Sequence, residues 1–148
     1  MNPVIKKLQL KDESKPVLIL NAPVEYNDIL AAFQAEVHKE VINDQYQFVQ
    51  VFGTANEELK MWSKKGAEVL VEDGLLWLCY PKKTSKKYKG SDCSRDSVTG
   101  ILADEGFEPV RQVAIDDDWS ALRYRKVEHI KKMTRNFAVT EKGKERTE

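Results

Sequence analysis

The sequence predicts an α/β fold: a three-layer, Rossmann-like sandwich around a mostly parallel five-stranded sheet, in the order 1-2-3-5-4, ending in a C-terminal antiparallel hairpin. Three observations lead there. Residues 16–21, 46–52 and 75–80 are runs rich in consecutive apolar side chains, the pattern of strands buried on both faces. Segments with helical periodicity separate these runs, and such alternation implies parallel pairing through right-handed crossovers. Finally, two alternating runs flank a short acidic turn, the mark of a hairpin on one edge of the sheet.

Each element has its own signal. The run opened by Pro16 closes at Asn21, Ala22 and Pro23. Asn27 or Asp28 can then cap a helix reaching to about Glu40, with Ile29, Phe33, Val37 and Val41 on one face. The β-rich stretch Tyr46 to Phe52 ends at Gly53, and Thr54 with Glu57 has the spacing of a capping box. The helix behind it carries Leu59, Trp62, Gly66 and Leu70 along one side, with Gly74 as its stop. Leu75 to Tyr80 is the strongest strand signal in the chain. Ser94 to Ser97 then offers caps for a third helix carrying Val98, Ile101 and Leu102, which is expected to stop at Gly106 with Phe107 folding back. Val110 to Ile115 and Ser120 to Val127 form the hairpin around Asp116, Asp117 and Asp118. The expected organisation is one α/β domain over 1–127 and a basic, flexible tail over 128–148, with no internal repeat.

At 148 residues, 41% hydrophobic and 9% aromatic, the chain is long enough to bury a core and lacks the composition of a disordered protein. Its net charge is zero, so nothing global favours nucleic acid or an anionic membrane. The charge is nevertheless segregated: residues 25–73 carry −6, 74–103 carry +4, 104–118 carry −5 and 119–148 carry +5. Screening over about 8–10 Å means that a partner feels these blocks rather than their sum. Two cysteines, Cys79 and Cys93, without a CxxC motif make no disulfide framework, and Cys79 reads as a core residue. No stretch has the apolar length of a signal peptide or a membrane span, so a soluble cytoplasmic protein is expected.

In open parallel sheets ligands lie beyond the carboxyl ends of the strands. Here Asn21, Thr54, Lys82 and Lys83 follow those ends and are the candidate contacts to a small anion, helped by the free N–H groups and positive ends of the helices. Against this, Asp28, Glu57 and Glu58 already sit in the first helical turns, and lysines after a buried strand are ordinary solvated punctuation. Lys86, Lys87 and Lys89, with Arg123 and Arg125 of the hairpin, make a candidate basic surface. The acidic block at 104–118 interrupts it and disfavours nucleic acid.

The absent motifs narrow the chemistry. No glycine precedes Gly53, so the first strand leads into neither a GxGxxG turn nor a P-loop. GxSxG and HExxH are missing as well. With only His38 and His129, neither a zinc site nor a Ser-His-Asp triad is indicated, and the three aspartates read as a turn rather than a cation site. No metal, cofactor or catalytic residue is assigned.

Two resemblances add to this. "VLILNAP", "LWLCYPKKTSK" and "AIDDDWSALRYRKVEHIKKMTR" together resemble a family of small bacterial proteins of unknown function, over nearly the whole chain. That resemblance implies a bacterial cytoplasmic protein and no activity. The order of elements from Phe48 to the final hairpin is similar to the C-terminal half of S-adenosylmethionine-dependent methyltransferases. "NAPVEY" faintly resembles the (Asn/Asp)-Pro-Pro-(Tyr/Phe) motif of their amine-methylating members, with only Asn21 and Pro23 suggestive. The glycine loop and the ribose-binding acid of that family have no clear match, which implies a truncated or repurposed version of the fold. The expectation is therefore a non-catalytic binding or regulatory module for a small anionic ligand or a protein partner. The alternatives are a small enzyme derived from a methyltransferase-like fold and a weak nucleic-acid binder.

Overall fold

A computed structural model describes residues 2–130. Along the chain lie α1 (Pro3–Lys7), β1 (Val17–Leu20), α2 (Asn27–Ala32), β2 (Val37–His38), β3 (Tyr46–Phe52), α3 (Asn56–Glu68), β4 (Leu70–Pro81), α4 (Arg95–Thr99), β5 (Phe107–Ala114) and β6 (Trp119–Lys126). Single 3-10 turns occupy Val24–Tyr26, Ala103–Glu105 and Val127–His129. Residues 131–148, most of the expected tail, lie outside the described residues.

The sheet corrects the predicted fold class. It is a six-stranded mixed sheet in the order β2-β1-β3-β4-β6-β5, not a mostly parallel five-stranded one. β2, β1, β3 and β4 run parallel, β6 pairs antiparallel with β4, and β5 pairs antiparallel with β6. The unexpected strand is β2, which pairs Val37 with Val17 and His38 with Leu18. It lies inside the stretch predicted to be helical to Glu40. The four-residue spacing of Ile29, Phe33, Val37 and Val41 suggested a helix, but Phe33, Ala35 and Val37 also alternate, as an extended segment requires. The alternation wins because Phe33 and Ala35 are buried and Val37 packs on the same core, whereas Val41 is exposed.

Side chains of β4 alternate between two cores. Trp77 and Cys79 join Ile5, Leu8, Phe48, Phe52 and Trp119 on the α1/α2 face. Leu76, Leu78 and Tyr80 join Leu59, Val98, Leu102 and Tyr124 on the α3/α4 face. Every residue from Leu76 to Pro81 is buried, and full burial of each large apolar side chain contributes about 1.5–3 kcal/mol. β4 is thereby the centrepiece of the sheet. α3 can lie this close because Gly66 faces β3: a Cβ there would stand 2.7 Å from Val49 Cγ1.

Several local expectations also change. α3 starts after Ala55, and it is Glu58, not Glu57, that accepts the Thr54 N–H, at 2.8 Å. α3 ends at Glu68 rather than at Gly74, which lies inside β4. The third helix is short: α4 ends before Gly100, although Ser94 and Ser97 do form its capping box. Gly106, at φ 82°, ends the following 3-10 turn and admits the left-handed conformation that launches β5.

Candidate functional site

Because β1, β3 and β4 are parallel, their carboxyl ends share one rim. Asn21 stands at the end of β1 with φ 61° and donates its amide Nδ2–H to the carbonyl of Phe52 at 2.9 Å. Thr54, after β3, gives both its N–H and its hydroxyl to Glu58. Tyr26 then covers this part of the rim. It is 3% exposed, its ring centroid is 4.7 Å from that of Phe52, and its hydroxyl donates to Gln50 Oε1 at 3.0 Å. Burial drives the Tyr26 phenol far above its ordinary pKa.

A cleft opens beside the end of β4. Its volume is about 440 Å³. The chain leaving β4 supplies Lys82, Lys83 and Thr84, the capped start of α4 supplies Ser94, Arg95 and Asp96, and the strands supply Tyr80, Gln112 and Ser120. The β4–β6 register explains part of this grouping, since Tyr80 pairs with Ser120. Three cations face one carboxylate, so the cleft is electropositive on balance. Gln112 donates to the Tyr80 hydroxyl at 3.4 Å, and burial raises the Tyr80 pKa while Arg95 pulls against that rise.

Beyond Lys83 the loop crosses to the other face. Ser85, 3% exposed, is the pivot: its hydroxyl donates to Asp118 Oδ1 at 2.7 Å and accepts the Tyr88 N–H at 3.1 Å. Tyr88 then packs at 5.0 Å, edge to face, on Trp119. Both reach the Glu25 carboxylate, the Tyr88 hydroxyl through a short hydrogen bond and the Trp119 indole N–H at 3.1 Å. Lys87 Nζ lies 3.3 Å from the other oxygen. Burial works to raise the Glu25 pKa, but the bonds from Tyr88 and Trp119, helped by Lys87, bring it down to about 2.

The candidate residues thus separate. Lys82 and Lys83 share the cleft; Asn21 and Thr54 do not line it. Lys87 turns to Glu25 on the opposite face, and Lys86 and Lys89 are exposed. Arg123 and Arg125 lie toward the other end of β4, where Arg123 pairs in register with Trp77 and Arg125 makes a bidentate pair with Asp73 at 2.7–2.9 Å. Asp116 accepts the N–H groups of Asp118 and Trp119 at 2.8 Å each, as an ordinary turn residue does. Among the described residues, Glu72, Glu128 and His129 hold their ligand atoms within 4.8 Å of one another and could hold a metal ion. His129 and Glu72 already hydrogen-bond there at 2.6 Å. No helix among the described residues is long and apolar enough to cross a membrane.

No family model matches the chain, and no curated protein matches it. Solved structures do. A SAM-dependent methyltransferase from Aquifex aeolicus superposes with a TM-score of 0.54 at 14% identity, over 82% of this chain and 86% of the other. The N-methyltransferase NodS from Bradyrhizobium japonicum WM9 gives 0.52 at 12% identity, over 84% of this chain and 97% of the other. A protein of the NADB-Rossmann superfamily from Streptococcus agalactiae gives 0.50 at 8% identity, covering 90% and 71%. The fold is methyltransferase-like. These repeated matches to methyltransferases correct the expectation of a non-catalytic module, since the scaffold is one that enzymes use. The identities are those of a shared fold, and a fold hosts many functions.

The fold raises the question of S-adenosylmethionine. The residues at the end of β1 do not fit a glycine-cradled cofactor. Asn21, Ala22 and Pro23 stand where the cradle would be, Asn21 is bonded across to β3, and Tyr26 fills the space over Phe52.

Arg95, Ser94 and Asp96 escape a sequence reading because they pass for helix caps. Glu25 and Trp119 escape it because 94 residues separate them. The pairing of Tyr80 with Ser120 is the one signal that could have located the far wall of the cleft.

Proposed function

We propose that the protein is a small enzyme built on a methyltransferase-like fold, whose anionic substrate is held in the cleft by Lys82, Lys83 and Arg95. The observation that carries this reading is the convergence of these three cations on one cleft at the carboxyl end of β4. That is the end of the sheet at which open α/β folds bind ligands. The cleft has the size of a small-molecule site, about 440 Å³. Arg95 suits planar, bidentate recognition of a phosphate or carboxylate, while Lys82 and Lys83 add mobile point charges. Asp96 supplies a carboxylate for proton transfer next to the bound anion, and the Tyr80 hydroxyl, kept protonated by burial, supplies a hydrogen bond. Asn21 and Thr54 serve the neighbouring rim by holding the ends of β1 and β3 in place.

Thermal denaturation in the presence of phosphate, pyrophosphate, nucleotides and S-adenosylmethionine tests the reading. Phosphate-bearing compounds raise Tm in the wild type and fail to do so in Lys82→Ala/Lys83→Ala, and S-adenosylmethionine alone gives no comparable rise. Equal shifts in wild type and double variant, or none in either, would falsify the assignment of the cleft.

A further inference from the structure

The second meeting of donors, on the opposite face of the sheet, has no part in the cleft. Three groups of different chemistry converge on a single carboxylate: a phenol (Tyr88), an indole N–H (Trp119) and an ammonium (Lys87). Trp119 is 2% exposed, locked between Phe52 at 5.3 Å and Tyr88 at 5.0 Å, so its N–H has a fixed direction. Tyr88 is fixed in turn by its backbone bond to the buried Ser85. Trp119 and Tyr88 therefore belong to the framework of the rim, whereas the Lys87 side chain is half exposed. Glu25 sits in a single 3-10 turn that lacks a side-chain cap; on one side the turn is anchored by the buried Tyr26, and on the other it is open at Val24, which is 76% exposed. A carboxylate on a turn open to one side is thus seated between two fixed donors and one mobile ammonium at the ligand-binding end of the fold.

We propose that Tyr88, Lys87 and Trp119 form a carboxylate-binding site which the chain fills with its own Glu25, and from which a carboxylate ligand displaces it. The donor set is matched to a planar monoanion: two directed hydrogen bonds fall on Glu25 Oε2, and Lys87 stands against Oε1. Because Glu25 is tethered, it competes at a high effective concentration, of the order of millimolar. An external carboxylate consequently binds weakly to the wild type and more tightly once the internal one is removed. Asp118, whose charge also acts on Tyr88, accepts the Ser85 hydroxyl instead. This site stands without the reading of the Lys82–Lys83 cleft, and its failure would leave that reading untouched.

The test is chemical rescue of Glu25→Ala, which leaves the donors facing a gap the size of the lost side chain. Acetate and propionate should raise the Tm of Glu25→Ala by about 3 °C or more beyond the effect of chloride at equal ionic strength, with a much smaller rise in the wild type. The same addition to Glu25→Ala/Lys87→Met should lose most of the rescue. If Glu25→Ala does not fold unaided, folding induced by acetate or propionate but not by chloride supports the site. Rescue no greater than that by chloride, or rescue by phosphate and not by carboxylates, overturns it.

Discussion

The indole N–H of Trp119 reaches the Glu25 carboxylate at 3.1 Å, tying the last hairpin to the turn after the first strand across 94 residues. Tyr88 and Lys87 bring the lysine loop to the same carboxylate. The three segments that border the rim on this face are thus held by one side chain.

This arrangement makes acid sensitivity specific. The Glu25 carboxyl sits at about 2 when folded, against an ordinary value of 4.5. A lowered folded pKa stabilises above the unfolded value, and the contribution is lost as pH falls from about 4.5 toward 2. Denaturant unfolding at pH 6 and pH 3 should show the wild type losing more stability than Glu25→Gln. Asp73, lowered by Arg125, titrates equally in both and cancels. Identical losses in the two proteins would rule out the Glu25 contribution.

The left-handed backbone of Asn21 separates two substitutions. Asn21→Gly loses the bond to the Phe52 carbonyl, worth about 0.5–1.5 kcal/mol. Asn21→Ala loses the same bond and keeps the Cβ that Asn21 already holds at φ 61°, whereas glycine removes it, a difference of about 1–2 kcal/mol. Alanine should therefore be the more destabilising of the two in urea titrations. An alanine variant as stable as the glycine one would contradict the geometry.

Gly53 and Gly100 make a second contrast. A Cβ on Gly53 would fall 2.7–2.8 Å from backbone and Cβ atoms of Leu59, which cannot swing aside, whereas one on Gly100 meets nothing within 4 Å. Gly53→Ala is expected to cost about 1–3 kcal/mol or more, and Gly100→Ala to stay within about 0.5 kcal/mol of the wild type. Equal Tm values for the two would refute the packing of α3 on the end of β3.

Both thiols are buried, and burial pushes the Cys79 thiol up to about 12. Thiolate is the reactive form, so a disulfide reagent at pH 8 should label neither cysteine at a useful rate until the protein is unfolded. Rapid labelling of Cys79 in the native state would place it outside the core.

These relationships differ in how far the sequence discloses them. β1, β3 and β4 are legible because strands buried on both faces are apolar at consecutive positions, a pattern that needs no partner to be recognised. β2 is not. Two residues are too few for a period, and Phe33, Ala35 and Val37 satisfy both alternation and the helical spacing. Lys82 and Lys83 can be placed at a ligand-binding edge because they directly follow the clearest strand. Arg95 cannot, since Ser94 to Ser97 read as caps whatever lies beside them. Glu25 leaves no local trace, because its partners come from the lysine loop and the start of β6, which only the closed sheet brings together.

The central claim is that Lys82, Lys83 and Arg95 form one anion site. The most direct measurement is a titration of phosphate or pyrophosphate into isotope-labelled protein, followed by backbone amide resonances. The account predicts saturable shifts concentrated at residues 82–84 and 94–96 and near Tyr80 and Ser120, all lost in Lys82→Ala/Lys83→Ala. Shifts that never saturate, or that spread over Lys86, Lys89 and the other exposed lysines without preference, would contradict it.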